Sequence, residues 1–277
     1  MRILILGSGG FLGRNLVEQL PYQLLTPSKE ELDLAEWFNP MLATDEQKSK
    51  LTVDKYFNNH KDIDVVINCV NTDDPKDNES VYYNLSHHFD KAKKWIFFGS
   101  GAEYNKTLPI VNVIENEWKN RPEPQDDYSQ HKCAMSFRVE NPDKFPECKN
   151  LIILRLFGVF GKYEDIKRRF ISKALLDNMA GRDITIYQNV KFSYVWVNDL
   201  VKIIDWFINN KPEYQFYNVG GRKLSLVEIA KKVGKYRVLK RGMANEYTCN
   251  DSRLRKETGI KYTAFNKSLK ELRKYYE

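Results

Sequence analysis

Tyr128 and Lys132 stand four residues apart, with Ser129, Gln130 and His131 between them. On a helix, residues i and i+4 share a face, so the phenol and the ammonium point the same way. A phenol titrating near about 10 is a poor acid–base group at neutral pH. A neighbouring ammonium favours the phenolate and lowers that value. The pair can then give or take a proton at a reacting oxygen. The spacing alone says little, because it recurs at Tyr163/Lys167, Tyr187/Lys191 and Tyr236/Lys240. Context separates the four. Only Tyr128 opens a helical pattern that follows one apolar run, Trp95 to Phe98, and precedes another, Asn150 to Leu156. Ser100, in Gly99-Ser100-Gly101, directly follows the first of these runs. Its hydroxyl is a third group able to hydrogen-bond a substrate oxygen.

A second constellation opens the chain. Ile3 to Leu6 reads as a buried strand and runs into Gly7-Ser8-Gly9-Gly10-Phe11-Leu12-Gly13. Glycine makes up only 14 of 277 residues, so three at GxxGxxG spacing straight after a strand are not a chance turn. Gly7 lets the chain turn off the strand, Gly10 removes a side chain where a pyrophosphate approaches backbone, and Gly13 allows close packing. The helix beneath offers free N–H groups and a partial positive charge to an anion. This is the pattern of a dinucleotide site.

The end of the second strand bears on which dinucleotide. An acid there bonds the ribose 2′-hydroxyl of NAD. Here the segment is Gln23-Leu24-Leu25-Thr26-Pro27-Ser28-Lys29. Thr26, Ser28 and Lys29, with Arg14 at the start of the first helix, suit a 2′-phosphate and favour NADP(H) over NAD(H). Glu30 and Glu31 follow closely and pull the other way.

The elements that must position these groups alternate. Helical patterns cover Leu12 to Leu20, Val53 to Asn59, Ser80 to Lys93 and Asp127 to Asn141. Apolar runs cover Gln23 to Thr26, Asp64 to Val70, Trp95 to Phe98 and Asn150 to Leu156. Such alternation predicts βαβ units and a parallel, doubly wound α/β sheet. After Gly161 the pattern changes to helices over Ile166 to Met179, Asp199 to Ile208, Leu224 to Val233, Asp251 to Thr258 and Lys267 to Tyr275. Short strands lie between them at Ile184 to Ile186, Tyr194 to Val197 and Phe216 to Val219. Residues 1–162, with 190–213 returning, are expected to form the dinucleotide-binding and catalytic domain. Residues 163–189 and 214–277 are expected to form a smaller, discontinuous substrate domain at the end of the sheet where ligands of open α/β folds bind.

Composition bounds the partners. Hydrophobic residues make up 42%, enough for a sizeable core. The net charge is +7, but Lys and Arg are scattered among Asp and Glu rather than grouped. No nucleic-acid partner is expected, and the balance suits a phosphate-bearing small substrate. Cys69, Cys133, Cys148 and Cys249 form no CxxC pair, and no cluster has metal-ligand spacing, so no metal and no disulfide framework are expected. The apolar run at Ile3 to Leu6 ends too early for a secretory leader, and no stretch approaches the ~18 residues of a membrane span. A cytoplasmic setting, away from the membrane, follows as the expectation. His87 and His88 lie mid-helix, and His131 lies off the Tyr–Lys face; all three read as structural.

Together these segments resemble the extended short-chain dehydrogenase/reductase family of nucleotide-sugar epimerases, dehydratases and ketoreductases. The likeness runs along nearly the whole chain. GSGGFLG, with Gly7, Gly10, Phe11, Leu12 and Gly13, looks like the cofactor loop. Asp33-Leu34 lies where the family contacts adenine, and Cys69-Val70-Asn71 where it lines the cofactor. FFGSGAEY and YSQHK look like the segments carrying Ser100 and the Tyr128–Lys132 pair. LRLFGVFG, with Phe157, resembles the strand and loop that reach the nicotinamide. The resemblance implies hydride transfer at a sugar carbon. Ser100 and Tyr128 would hold its oxygen, and Lys132 would bond the nicotinamide ribose. It also implies a nucleotide-diphosphate handle and a homodimer. Arg168, Arg169, Lys173, Arg222 and Arg253 are the candidates for that handle, and Ser100, Gly101 and Ala102 for the sugar.

Departures from the family narrow the reaction. Dehydratases carry an Asp–Glu pair just after the hydroxyl, where this chain has Gly101 and Ala102. Glu103 is shifted by one position, which on a strand turns it to the other face. The helix around Arg168 to Lys173 holds no histidine for a second acid–base pair. Phe192 stands where many relatives place an arginine. The expectation is an NAD(P)H-dependent reductase of a nucleotide-linked 4-keto sugar, serving deoxysugar or surface-polysaccharide precursor synthesis. The alternatives are an NAD-dependent 4-epimerase and a non-catalytic NAD(P)-binding regulator or scaffold.

Overall fold

Ile3, Leu4, Ile5 and Leu6 are almost wholly shielded, as are Val65, Val66 and Ile67. Runs buried on both faces belong in the middle of a parallel sheet covered by helices. The computed structural model, which describes residues 1–35, 52–72 and 74–277, has that architecture. In chain order its strands are β1 (Arg2–Leu6), β2 (Gln23–Leu25), β3 (Val65–Asn68), β4 (Lys94–Ser100), β5 (Ile110–Val113), β6 (Leu151–Leu156), β7 (Val159–Phe160), β8 (Ile184–Asn189), β9 (Lys191–Trp196), β10 (Phe216–Val219), β11 (Arg222–Ser225), β12 (Tyr236–Met243) and β13 (Tyr247–Cys249). The described helices are α1 (Phe11–Gln19), α2 (Thr52–Asn59), α3 (Pro75–Ser86), α4 (Asp127–Val139), α5 (Phe170–Met179), α6 (Val197–Asn209), α7 (Leu226–Val233), α8 (Ser252–Thr258) and α9 (Phe265–Tyr276).

The six-stranded sheet has the order β10-β6-β4-β3-β1-β2. β1 pairs in parallel with β2 and β3, with Ile3 opposite Leu24 and Val65. β3 pairs in parallel with β4, with Val66 opposite Trp95. This is a Rossmann-type α/β fold. The chain divides into two compact units, residues 1–99 with 126–153, and residues 100–125 with 154–277. β4 and β6 each cross from the first unit to the second along the chain. The second unit adds a sheet of order β11-β9-β13-β5, with β7 on β9, and a parallel β8–β12 ribbon. Among the described residues no helix is long and apolar enough to cross a membrane.

Most elements lie where the apolar pattern places them, and the differences have local causes. α3 begins at Pro75, five residues before the expected start. Asp74 caps it by accepting from the Lys76 N–H at 2.8 Å, and Pro75 fits the first turn because its missing N–H has no partner to lose. α5 begins at Phe170 rather than Ile166. The residues before it form turns held by an Asp165 side chain that accepts from the Lys167 N–H at 2.9 Å. β5, β7, β11, β12 and β13 were not expected. They are short, or exposed on both faces, and carry no period-two signal.

The glycine turn is closed by a bond from the Gly10 N–H to the Gly7 carbonyl at 3.1 Å. Gly7 sits at φ +72°, and a Cβ at Gly13 would lie 2.2 Å from the Gly7 oxygen. A Cβ at Gly9 would meet nothing within 4 Å. Gly13→Ala is therefore expected to cost about 1–3 kcal/mol, as overpacking does. Gly9→Ala should stay within about 0.5 kcal/mol of the parent. Urea unfolding of both variants checks this; equal effects would contradict the turn geometry.

Candidate active site

In the first unit the turn from β1 to α1 is shaped for an anion. Gly10 is the N-cap of α1 and supplies no capping side chain, and the first turn carries no acid. The cradle is narrow, because a Cβ at Gly7 would lie 3.0 Å from the Val70 nitrogen and 3.1 Å from the Cys69 carbonyl carbon. Those residues follow β3, whose end is fixed by the Cys69 N–H on the Leu6 carbonyl at 3.0 Å and the Val70 N–H on Asn68 Oδ1 at 3.0 Å. Burial pushes the Cys69 thiol up, so it stays a thiol. Gly7, Val70 and Cys69 are thus brought together. Asn71 follows them, and Phe11, Leu12 and Arg14 lie on the first turn of α1.

The segment after β2 is more acidic than its hydroxyls suggest. The Ser28 N–H donates to Glu31 Oε2 at 2.9 Å, and the Ser28 hydroxyl draws the Glu30 carboxyl below its ordinary range. Lys29 Nζ lies 3.7 Å from Asp33. Asp33 Oδ1 accepts from the Ala35 N–H at 3.0 Å, and the Leu34 carbonyl accepts from Asn84 at 3.0 Å. Thr26 remains at the strand end beside them.

Tyr128 lies in the first turn of α4, which Asp126 caps by accepting from the Ser129 N–H at 3.1 Å and the Ser129 hydroxyl at 2.7 Å. The cap sets where the helix starts and so which residues share the Tyr128 face. Tyr128 is 40% exposed. Lys132 is 7% exposed, its Nζ donates to the Phe98 carbonyl at 3.1 Å, and it lies 5.7 Å from the Tyr128 ring centre. The two side chains are brought together, and the lysine is anchored on β4 at Phe98, two positions before Ser100 in the chain. His131 lines the same void of about 10 Å³ as Lys132, Asn68 and Phe98. Burial first, then the Lys132 and Arg138 charges, push its imidazole down to about 4, so it stays neutral near pH 7.

In the second unit Ser100 ends β4 and caps the 3₁₀ turn Gly101–Tyr104 reciprocally. Its Oγ accepts from the Ala102 N–H at 3.1 Å, and its own N–H donates to Glu103 Oε1 at 2.9 Å. The Ser100 hydroxyl keeps its proton to donate elsewhere. Glu103 is 1% exposed and Arg155 is fully buried; Arg155 Nε donates to Glu103 Oε2 at 2.6 Å. The sequence pattern places Glu103 away from the Gly101–Ala102 positions but gives no sign of this partner, 52 residues on. Gly101 is packed tightly, since a Cβ there would lie 2.6 Å from the Tyr247 hydroxyl and 2.7 Å from the Phe157 ring. Tyr247 was not foreseen, because nothing marks a three-residue strand beyond Met243. Phe157 belongs to the cluster of Tyr104, Ile110, Val113 and Cys249.

The five basic candidates of this unit differ in their commitments. Arg222 donates to the Thr263 and Tyr262 carbonyls at 3.0 and 3.2 Å. Arg253 donates to the Phe216 carbonyl at 3.0 Å, lies 3.7 Å from Glu115 and stacks 4.3 Å from the Tyr214 ring centre. These two brace the chain. Arg168 lies 3.5 Å from Asp165, and Lys173 lies 2.6 Å from Asp177. Arg169 is exposed at the N-cap of α5. The loop before it hangs on buried Glu164, which accepts from the Ser172 hydroxyl. Its other oxygen has no hydrogen-bond partner among the described residues. Burial pushes this carboxyl up to about 7.

A parallel sheet, a glycine turn over a helix start and a Tyr–Lys pair on a following helix define a protein of the extended short-chain dehydrogenase/reductase type. The chain belongs to the NAD dependent epimerase/dehydratase family, whose model matches residues 3–220. No curated protein sequence matches it. Among solved structures, a UDP-glucose 4-epimerase from Thermus thermophilus in complex with NAD is 18% identical, with a TM-score of 0.75 over 100% of this chain and 99% of that one. A GDP-6-OMe-4-keto-L-xylo-heptose reductase from C. jejuni is also 18% identical, with a TM-score of 0.74 over 99% and 97%. A dTDP-glucose 4,6-dehydratase from Bacillus anthracis in complex with NAD is 17% identical, with a TM-score of 0.74 over 100% and 96%. Three reactions on one backbone leave the choice to the side chains.

Glu164 gives a pH test of the loop before α5. Its carboxyl is raised in the folded chain, so burial costs nothing below the unfolded value of 4.5 and an increasing amount as pH climbs through about 7. Glu164→Gln should match the parent near pH 4.5 and exceed it by ~1–3 kcal/mol at pH 8. Chemical denaturation at the two pH values measures this; a gap independent of pH would contradict a buried, raised carboxyl.

Proposed function

We propose that the chain reduces the carbonyl of a nucleotide-linked 4-keto sugar with a nicotinamide dinucleotide. The observation that carries this reading is the turn after Ser100. Elimination of water from a sugar needs an acid and a base beside the hydroxyl, and this turn offers neither. Gly101 is closed to any side chain by Tyr247 and Phe157, Ala102 is inert, and Glu103 is committed to Arg155. The Ser100 hydroxyl remains on this turn, and the Tyr128–Lys132 pair on α4 is suited to moving one proton at one oxygen.

The residues fit the cofactor. The uncapped start of α1 and the glycine cradle suit a pyrophosphate. When bound, the dinucleotide supplies the hydride, two electrons and one hydrogen, to the carbonyl carbon. Ser100 donates a hydrogen bond to the carbonyl oxygen. Tyr128 gives that oxygen its proton, so the product is the alcohol. The Lys132 ammonium favours the phenolate left behind and bonds the nicotinamide ribose. The acids engaging Ser28 and Lys29 after β2 support NAD(H) rather than the NADP(H) favoured by the sequence pattern. For the nucleotide diphosphate, exposed Arg169 at the start of α5 is better suited than Arg222 or Arg253, whose guanidinium groups already hold backbone carbonyls.

Tyr128→Phe is expected to keep the thermal stabilisation by NADH, which saturating ligand gives through linkage. Reduction of nucleotide 4-keto sugars should fall by ~10²–10⁴-fold, the usual worth of a positioned proton donor. Thermal shifts with NADH and NADPH, followed by dinucleotide absorbance during turnover, test both halves. Unchanged turnover in the variant would refute the assignment, and stabilisation by NADPH alone would refute the NAD(H) reading.

A further inference from the structure

Arg155 is a charged side chain among the largest fully buried ones of the described residues. Its guanidinium is fully enclosed. Nε donates to Glu103 Oε2 at 2.6 Å and Nη1 to the Glu115 carbonyl at 2.8 Å. The rings of Phe216, Trp118 and Tyr104 stand 4.7, 5.3 and 5.7 Å away. Glu115 is itself pinned, because its Oε1 accepts from the Asn218 N–H at 3.0 Å. Asn218 Oδ1 in turn accepts from the Tyr104 hydroxyl at 2.9 Å. Arg155 thus has one orientation available, and Glu103 is held by it.

The other oxygen of Glu103 accepts the Ser100 N–H, and Ser100 Oγ accepts the Ala102 N–H. The buried pair is therefore joined by one hydrogen bond to the residue whose hydroxyl direction matters. A buried ion pair adds little stability over a well-packed apolar pair of the same volume, so stability alone does not account for it. We propose that Glu103 and Arg155 are positioning residues: Arg155 fixes the Glu103 carboxylate, and the carboxylate fixes the backbone cap that aims the Ser100 hydroxyl. This rests on the reading of Ser100 as the hydroxyl that holds the substrate oxygen.

The test uses the full chain and charge-neutral double variants, so that no lone buried ion is left. Glu103→Leu with Arg155→Met removes the acceptor for the Ser100 N–H; Glu103→Gln with Arg155→Met keeps it. The first should lower kcat on a nucleotide 4-keto sugar by ~10²-fold, the scale of a misplaced reacting group, with KM changed less than about threefold. The second should recover about tenfold of that loss and stay about tenfold below the parent, because Gln keeps the acceptor at position 103 but Arg155 no longer fixes it. With Ser100→Ala in the background, neither pair should change kcat by more than about twofold, because the effect acts through that hydroxyl. Retained kcat in the first variant, or an equal loss with Ser100→Ala, overturns the inference. If the first variant does not fold, the second decides alone: wild-type kcat there removes any role for Arg155.

Amide hydrogen exchange at Ser100 separates this inference from the reading it rests on. Exchange should speed up at least about tenfold in the first variant and return towards the parent rate in the second. Unchanged exchange overturns the positioning role whatever the turnover. The expected exchange pattern in a chain that reduces no keto sugar supports the cap and contradicts the reductase reading alone.

Discussion

A guanidinium sealed from water needs a carboxylate beside it, and the turn after β4 supplies one to Arg155. Arg155 and Glu103 are both nearly inaccessible and 2.6 Å apart. Removing one member of such a pair costs about 3–5 kcal/mol, because the other charge is left stranded. Glu103 is therefore unavailable as a mobile acid or base. Its neighbour Gly101 has no room for a side chain against Tyr247 and Phe157. The same packing that stabilises the turn removes the groups that elimination chemistry requires and leaves a hydroxyl at the end of β4. Under the proposed reduction, structural demand and reaction choice are one constraint.

The first unit answers a different demand, the approach of an anion to backbone. It meets that demand with missing side chains rather than with charge. Gly7 turns the chain at φ +72°, Gly13 lets α1 start against the turn, and Gly10 leaves the helix start uncapped. Near the end of β2 the electrostatics run against the net charge of +7, because Glu30, Glu31 and Asp33 gather around Ser28 and Lys29. Global charge says little about a site whose nearest groups carry the opposite sign, since screening confines exposed charges to roughly 10 Å.

The sheet was legible because buried strands such as Ile3 to Leu6 and Val65 to Asn68 are uninterrupted apolar runs between turn residues. The glycine turn was legible because its spacing follows from backbone geometry. The Tyr128–Lys132 pair was legible only through its place between two such strands. What escaped depends on contacts far apart in the chain. Arg155 reads as one charge in an apolar strand, LRLFG, until Glu103 is seen against it 52 residues away. Arg222 and Arg253 look like ligand cations in the sequence, yet each holds backbone carbonyls 37 to 41 residues distant. Tyr247 lies on a strand of three residues, too short for any periodicity, and reaches Gly101 from nearly 150 positions on. Local pattern carries the scaffold, and long-range pairing decides which charged groups remain for a substrate.

The claim that this site reduces a carbonyl and does not eliminate water or interconvert epimers is tested most directly by following the hydride. NADH deuterated at the transferable position is incubated with the protein and a nucleotide-linked 4-keto sugar, and the product is examined by NMR and mass spectrometry. Reduction at C4 gives one deuterium at sugar C4, one NAD+ formed per sugar reduced, and no solvent hydrogen entering at C5 or C6. Loss of water from a nucleotide sugar, or interconversion of 4-epimers with no net consumption of NADH, would contradict it.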